Sequence, residues 1–354
     1  MKTFECLCGN ALFWDNYSCL GCHKDVGFCP NCEEIRSIDF VEEETWQCRH
    51  CQAILSKCRN GLAHGVCNWF LSDQEVAAGE SLCWSCRLTK VVPDVSKPHY
   101  VELWRKLEAA KRRVLYSLKT IQLPICCDDC TVLPLEFHFK ASTPEHLVTT
   151  GHSAGVITIQ LEEADDVQRE TVRVQFAEPH RTLVGHFRHE LGHYFWDLLI
   201  RGTKEVDHFR SVFGDERSPT YEDAQRAYYA NGPQSNWPQN FISAYASMHP
   251  WEDFAETFNA YLDIVAVLDT AGALRWIVPD FSNCKTMLTH YQKIGLSINE
   301  FNREMGLKDL VPEIYHADVR RKIEYLHGVV RTAAKRVDLA TQGLMGEHPD
   351  PVLR

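Results

Sequence analysis

The sequence predicts an α+β fold in three parts. A cysteine-rich N-terminal third of small hairpins comes first, then a connecting amphipathic helix, then a mainly helical body with a small sheet. Three observations predict it. Twelve of the 16 cysteines fall between Cys6 and Cys86, most of them in closely spaced pairs. Apolar residues recur at helical spacing from Tyr100 to Ile121. Beyond them only two strand-like runs precede a pattern that turns mainly helical near residue 180. The expected divisions are 1–95, 96–123, 124–332 and a tail over 333–354.

The composition sets outer bounds. The chain has 354 residues, 45% hydrophobic and 24% charged, which is ordinary globular usage and excludes a disordered, collagenous or coiled-coil protein. The formal charge is −11, a poor match to a protein that binds nucleic acid by neutralising phosphates. Residues 1–95 alone carry eight Lys and Arg against thirteen Asp and Glu, a balance of −5. No run of apolar residues is long enough to span a bilayer. The opening residues Met1-Lys2-Thr3-Phe4-Glu5-Cys6 show no secretory h-region, so the expectation is a cytoplasmic protein whose thiols stay reduced.

Clustered reduced cysteines hold metal more often than each other. A C-x-x-C turn aims two thiolates at one ion, and two such turns complete a tetrahedral shell around zinc. Cys6, Cys8, Cys19 and Cys22 form one set of four, and Cys29, Cys32, Cys48 and Cys51 a second with the cleanest spacing. Cys58, Cys67, Cys83 and Cys86 form a third. Ligands could be exchanged between sets, with His23, His50 or His64 replacing a thiolate. Zinc held by four cysteines is coordinatively closed, so these sets predict structural zinc and a surface for docking a protein.

Val92-Pro93-Asp94-Val95-Ser96-Lys97-Pro98 reads as a loop. After it Tyr100, Leu103, Trp104, Leu107, Ala110, Val114, Leu118 and Ile121 mark a helix of about six turns. Its charged residues Arg105, Lys106, Lys111, Arg112 and Lys119 are expected on a solvated face. Cys126, Cys127 and Cys130 follow in a polar stretch that reads as a loop with incidental thiols, and Cys284 as a core thiol. Leu135–Phe139 and Gly155–Leu161 alternate as strands.

The chemistry sits in His189-Glu190-Leu191-Gly192-His193. Histidines at i and i+4 share a helix face and can bind one ion, while Glu190 on the flank can reach a water on that ion. A catalytic zinc needs a third ligand and an open position. Downstream, Pro250 is placed to open a helix on which Glu252 and Glu256 fall one turn apart. Glu252 as ligand and Glu256 as the carboxylate behind His189 is one arrangement; the reverse, or Asp253, is another. Asp197, one turn past His193, is a further candidate to support a ligand histidine, and His180 and His186 read as non-ligands.

Longer motifs carry a family resemblance. They are Thr149-Thr150-Gly151-His152, Gly155–Ile159, Glu163-Ala164-Asp165-Asp166 and Arg169-Glu170. Glu178–Arg188, Phe213-Gly214-Asp215-Glu216, Ser243–Glu256 and Asn302-Arg303-Glu304-Met305-Gly306 complete the set. Together they resemble a bacterial zinc-ribbon metallopeptidase family whose catalytic half is similar to gluzincins. The likeness runs from the ribbons to about residue 332. Where that family carries histidines after the position of Glu256, this chain has Asn259, Ala260 and Asp263, and Cys29/Cys32 with Cys48/Cys51 is an added pair set.

The resemblance implies a catalytic zinc on His189, His193 and Glu252, beside about three structural zinc ions. It implies Glu190 as general base, Glu256 supporting a histidine, and Tyr245 or His249 stabilising the oxyanion. It also implies that the strand at 155–161 is an edge strand that pairs with an extended peptide. The expected activity is hydrolysis of peptide or peptide-like amide bonds. The alternative is a zinc-ribbon interaction module with an inactive or latent peptidase-like body. No organic cofactor, membrane or nucleic acid is expected as a partner.

Overall fold

The computed structural model describes residues 2–125, 133–175, 182–312 and 314–341. The chain divides into two compact units. The first comprises 1–115, 136–151 and 157–184, the second 116–135, 152–156 and 185–354. The cysteines at 126, 127 and 130, His180 and the end of the predicted tail lie outside the described residues.

In the first unit β1 (Phe4–Glu5) and β2 (Ala11–Leu12) form a hairpin. Next, β3 (Val26–Cys29), β4 (Glu34–Glu42), β5 (Thr45–Cys48), β6 (Ile54–Lys57) and β7 (Phe70–Ser72) pair in sequence order as an antiparallel meander. The helices among residues 2–95 are single turns or little more: α1 (Arg59–His64), α2 (Asp73–Ala77) and α3 (Trp84–Arg87). One backbone turn recurs three times. The amides of His23, Glu33 and Gln52 bond to the carbonyls of Cys19, Cys29 and Cys48, at 2.8, 2.9 and 2.9 Å. All three residues adopt positive φ, 59°, 54° and 59°, and each directly follows the second cysteine of a C-x-x-C pair. This tight reversal is what turns both thiols of a pair to one side.

The helix α4 (Pro98–Thr120) follows the predicted apolar stripe, burying Trp104, Leu107, Val114, Leu115 and Leu118. Each such side chain contributes about 1.5–3 kcal/mol. The expectation of a solvated charged face fails at two positions, because Lys111 and Arg112 are 0% and 1% exposed. They are compensated inside the unit. Lys111 Nζ lies 2.9 Å from Glu108 Oε2 and donates to Ser85 O at 2.8 Å. Arg112 Nη1 donates to Val66 O at 3.2 Å.

A second sheet uses β8 (Thr89–Val91), β9 (Glu136–Lys140), β10 (Gly151–Ser153) and β11 (Val156–Gln160) in the order β10-β11-β9-β8, with β8 parallel to β9. The strand expected at the edge is therefore interior in this order, with β10 as its neighbour on one side and β9 on the other. After this sheet comes α5 (Asp166–Gln175).

Apart from the strand residues at 152, 153 and 156, the regular structure described in the second unit is helical. It contains α6 (Leu183–Leu199), α7 (Val206–Phe213), α8 (Tyr221–Asn231), α9 (Trp237–Asn240), α10 (Pro250–Ala273), α11 (Cys284–Glu304) and α12 (Ala317–Thr341). Phe187, Leu191 and Phe195 of α6 and Phe254, Phe258 and Leu262 of α10 are fully buried, which makes these two helices the centre of the core. Cys284 is the first residue of α11 and only half-buried, so it is not the core thiol expected. Among the described residues, no helix is long and apolar enough to cross a membrane.

Candidate active site

Among the described residues, four clusters of metal-ligating side chains form, three of cysteine and one of mixed donors. The cysteine clusters are Cys6, Cys8, Cys19, Cys22; Cys29, Cys32, Cys48, Cys51; and Cys58, Cys67, Cys83, Cys86. These are the sets read from spacing, with no exchange between them and no histidine substituted. Sulfurs around one zinc at the usual Zn–S length of about 2.3 Å stand about 3.8 Å apart. The observed separations are 3.7 Å for Cys6–Cys22, 3.6 Å for Cys8–Cys19, 3.7 Å for Cys29–Cys51, 3.8 Å for Cys32–Cys48 and 3.7 Å for Cys67–Cys83. Such spacing fits a tetrahedral shell and is far beyond a disulfide.

The fourth cluster joins His189, His193 and Glu252. Both histidines come from one face of α6. Glu252 is the third residue of α10, and His249 and Pro250 place it there. Proline at the first helical position has no N–H to lose. The His249 ring caps the helix, its Nδ1 accepting from Trp251 N at 3.1 Å, while its Nε2 donates to Glu216 O at 3.1 Å. Negative side chains in the first turn also suit the helix dipole.

The three donor atoms converge. His189 Nε2 and His193 Nε2 are 3.1 Å apart, and Glu252 Oε2 lies 3.0 Å from the first and 3.4 Å from the second. Donors at 2.0–2.1 Å from a tetrahedral zinc would stand roughly 3.3–3.4 Å apart. Glu252 is 2% exposed, and its Oε2 has no hydrogen bond of good geometry. Two imidazole nitrogens and a carboxylate oxygen facing one point fit a cation there, and fit little else. Burial opposes charge on Glu252, yet His193 and His189 hold its carboxyl well below the usual range. Burial likewise opposes a charged His189, and Glu252 and Glu256 overcome it.

Around these ligands, Glu256 Oε1 is 2.7 Å from His189 Nδ1. The Glu190 carboxyl is buried, its Oε2 has no hydrogen-bond partner, and burial pushes its pKa up. Asp197 is paired differently from expectation. It lies 3.0 Å from Arg201 Nη2, and His193 Nδ1 is buried without a hydrogen-bond partner. Asp253 points elsewhere too, 2.6 Å from Lys322 Nζ. His186 is not in the cluster. The ring of Tyr245 lies 6.1 Å from that of His189, and burial and the Glu252 charge keep its phenol protonated.

Two neighbours were not read from the sequence. Trp251 lies against His193, ring centroids 3.7 Å apart. Tyr221, the first residue of α8, donates its hydroxyl to Glu252 Oε1 at 2.8 Å. Nothing in the local sequence marks Tyr221, since it is 31 residues from its partner. Trp251 stands beside Glu252 and could have been found from the motif.

The family described as putative zinc-binding metallo-peptidase matches residues 100–329, and a zinc-ribbon domain family matches residues 3–97. An uncharacterised protein of Mycobacterium bovis and two of Mycobacterium tuberculosis strains are each 36% identical over 346 residues, covering 94% of this chain and 96% of theirs. No solved structure matches.

Proposed function

We propose, from the premise that this chain belongs to the family of putative zinc-binding metallo-peptidases, that it hydrolyses peptide or peptide-like amide bonds at His189, His193 and Glu252. The observation that carries this reading is the convergence of three donor atoms beside the buried, unpartnered carboxyl oxygen of Glu190. Zinc bound to such a triad supplies a water that ionises near neutral pH and a Lewis acid for the scissile carbonyl.

The side chains divide the remaining work. Glu190 accepts the proton of the attacking water and passes it to the leaving amine. Glu256 fixes the His189 ring by taking its Nδ1 proton in a hydrogen bond, so that Nε2 keeps its lone pair for metal. Tyr245 donates to the developing oxyanion. It is preferred to His249, whose two nitrogens are both occupied by backbone groups. The cysteine clusters are closed four-thiolate shells and act as structure, in a reducing compartment that we take to be the cytoplasm.

Glu190→Gln tests the proposal, with zinc content measured beside hydrolysis of a peptide library. The expected result is retained zinc and a loss of activity of about 10²–10⁴-fold. Equal activity in the variant, or none in the wild type, leaves the chain as a zinc-ribbon interaction module with an inactive body.

A further inference from the structure

Glu252 presents its two oxygens to different partners. Oε2 faces His189 Nε2 and His193 Nε2, at 3.0 and 3.4 Å. Oε1 accepts the Tyr221 hydroxyl at 2.8 Å. A carboxylate can bind a cation through one oxygen or both, and a carboxylate bound through both would fill the position that a catalytic zinc must leave for water. Glu252 has an oxygen already committed to a phenol.

That phenol is held in place. Thr220 caps α8 by accepting from Asp223 N, which fixes the backbone at Tyr221. The Tyr221 ring stands edge-on to His249 and to Trp251, with centroids 5.4 and 5.6 Å away. Those two residues flank the start of α10 that carries Glu252. His249 is itself tied to Glu216 O, and Trp251 lies against His193. The hydroxyl therefore meets Glu252 through packing that the site already uses.

We propose that Tyr221 is a positioning residue that holds Glu252 to one-oxygen metal binding and so keeps the fourth coordination position open. This rests on the metal-site reading above. Tyr221→Phe removes the hydroxyl and keeps the ring, so the packing against His249 and Trp251 survives.

Cobalt(II) reports the coordination number directly. Zinc-replete wild type and Tyr221→Phe are stripped of their exchangeable ion with a chelator and reloaded with one equivalent of Co(II). Absence of thiolate charge-transfer bands shows that cobalt has not entered the cysteine clusters. The wild type is expected to show the intense visible bands of a four-coordinate ion. The variant is expected to lose that intensity as Glu252 swings to bind through both oxygens. Peptide hydrolysis by the zinc forms is followed in parallel, with kcat expected to fall and KM to stay near wild type.

Identical Co(II) spectra would overturn the role of Tyr221 even if the wild type hydrolyses peptides. A changed spectrum with no hydrolysis by any form would uphold Tyr221 and sink the peptidase reading. Failure of the body to take up Co(II) would overturn both.

Discussion

Gly192 touches Ala255 backbone to backbone: a Cβ built at Gly192 would stand 2.7 Å from Ala255 Cα and 3.1 Å from its carbonyl oxygen. Gly192 lies between His189 and His193 on α6, and Ala255 lies between Glu252 and Glu256 on α10. The close approach of these two helices therefore sets the histidines against the carboxylates.

Gly192→Ala is expected to force α6 and α10 apart where the ligands meet. Overpacking of this kind costs about 1–3 kcal/mol. The expected outcome is a lowered denaturation midpoint together with loss of zinc from the His189–His193–Glu252 site. Ala255→Gly should not rescue it, because the two nearest atoms are backbone. Wild-type zinc content and stability in Gly192→Ala would contradict the close-packing argument.

Glu256 is expected to act on the metal only through His189, whose Nδ1 it meets at 2.7 Å. Removing such a partner typically costs about 10- to 100-fold in metal affinity. Glu256→Ala should show that loss in a chelator competition, and Glu256→Gln a smaller one because it can still accept a hydrogen bond. An Ala variant that competes as well as wild type would show that the contact is incidental.

The parts legible in the sequence were those fixed by local spacing. The i, i+4 histidines, the cysteine pairs and the Pro250 helix start each depend on a few adjacent residues, and in the structure the histidines share one face of α6, the cysteines group in fours and Pro250 opens α10. What escaped depends on chain segments meeting at a distance. Tyr221 reaches Glu252 across 31 residues. Lys111 and Arg112 look solvent-bound on a helical wheel, yet the unit supplies Glu108, Ser85 O and Val66 O to receive them. The family resemblance implies an edge strand at 155–161, whereas β10 pairs with β11 on that side. Asp197 has the right spacing to support His193, but Arg201 stands one further turn along and takes it.

Acid is expected to destabilise the second unit through His152. Its Nε2 accepts from Gly155 N at 3.1 Å, and burial, with the Arg201 charge nearby, lowers its pKa from 6.5 to about 4. The folded state thus resists protonation while the unfolded chain takes it up. Stability from this group is complete above about pH 6.5 and is lost as pH falls toward 4. At pH 5 the loss is on the order of 1–2 kcal/mol. His152→Asn should flatten the fall in denaturation midpoint between pH 7 and pH 5, and an unchanged pH slope in the variant would refute the assignment.

The three cysteine clusters should not release zinc together. Cys58, Cys67, Cys83 and Cys86 are all buried, whereas Cys8 and Cys51 are exposed and Cys22 and Cys32 half-buried. A chelator must reach a thiolate to displace it, so the first two clusters offer an entry that the third does not. The third is also fastened to α4: Arg112 bonds to Val66 O beside Cys67, and Lys111 to Ser85 O between Cys83 and Cys86. Opening it requires pulling two buried cations from backbone carbonyls, and a hydrogen bond to a charged group contributes about 1.5–3 kcal/mol. In a chelator titration followed by circular dichroism, zinc from the first two clusters should leave with little loss of helix. The last zinc should leave only with cooperative unfolding of the first unit. Cys8→Ser should then give a folded protein short of one zinc, and Cys58→Ser a protein that fails to fold stably. Early loss of zinc from Cys58, Cys67, Cys83 and Cys86, with α4 intact, would reverse the order argued here.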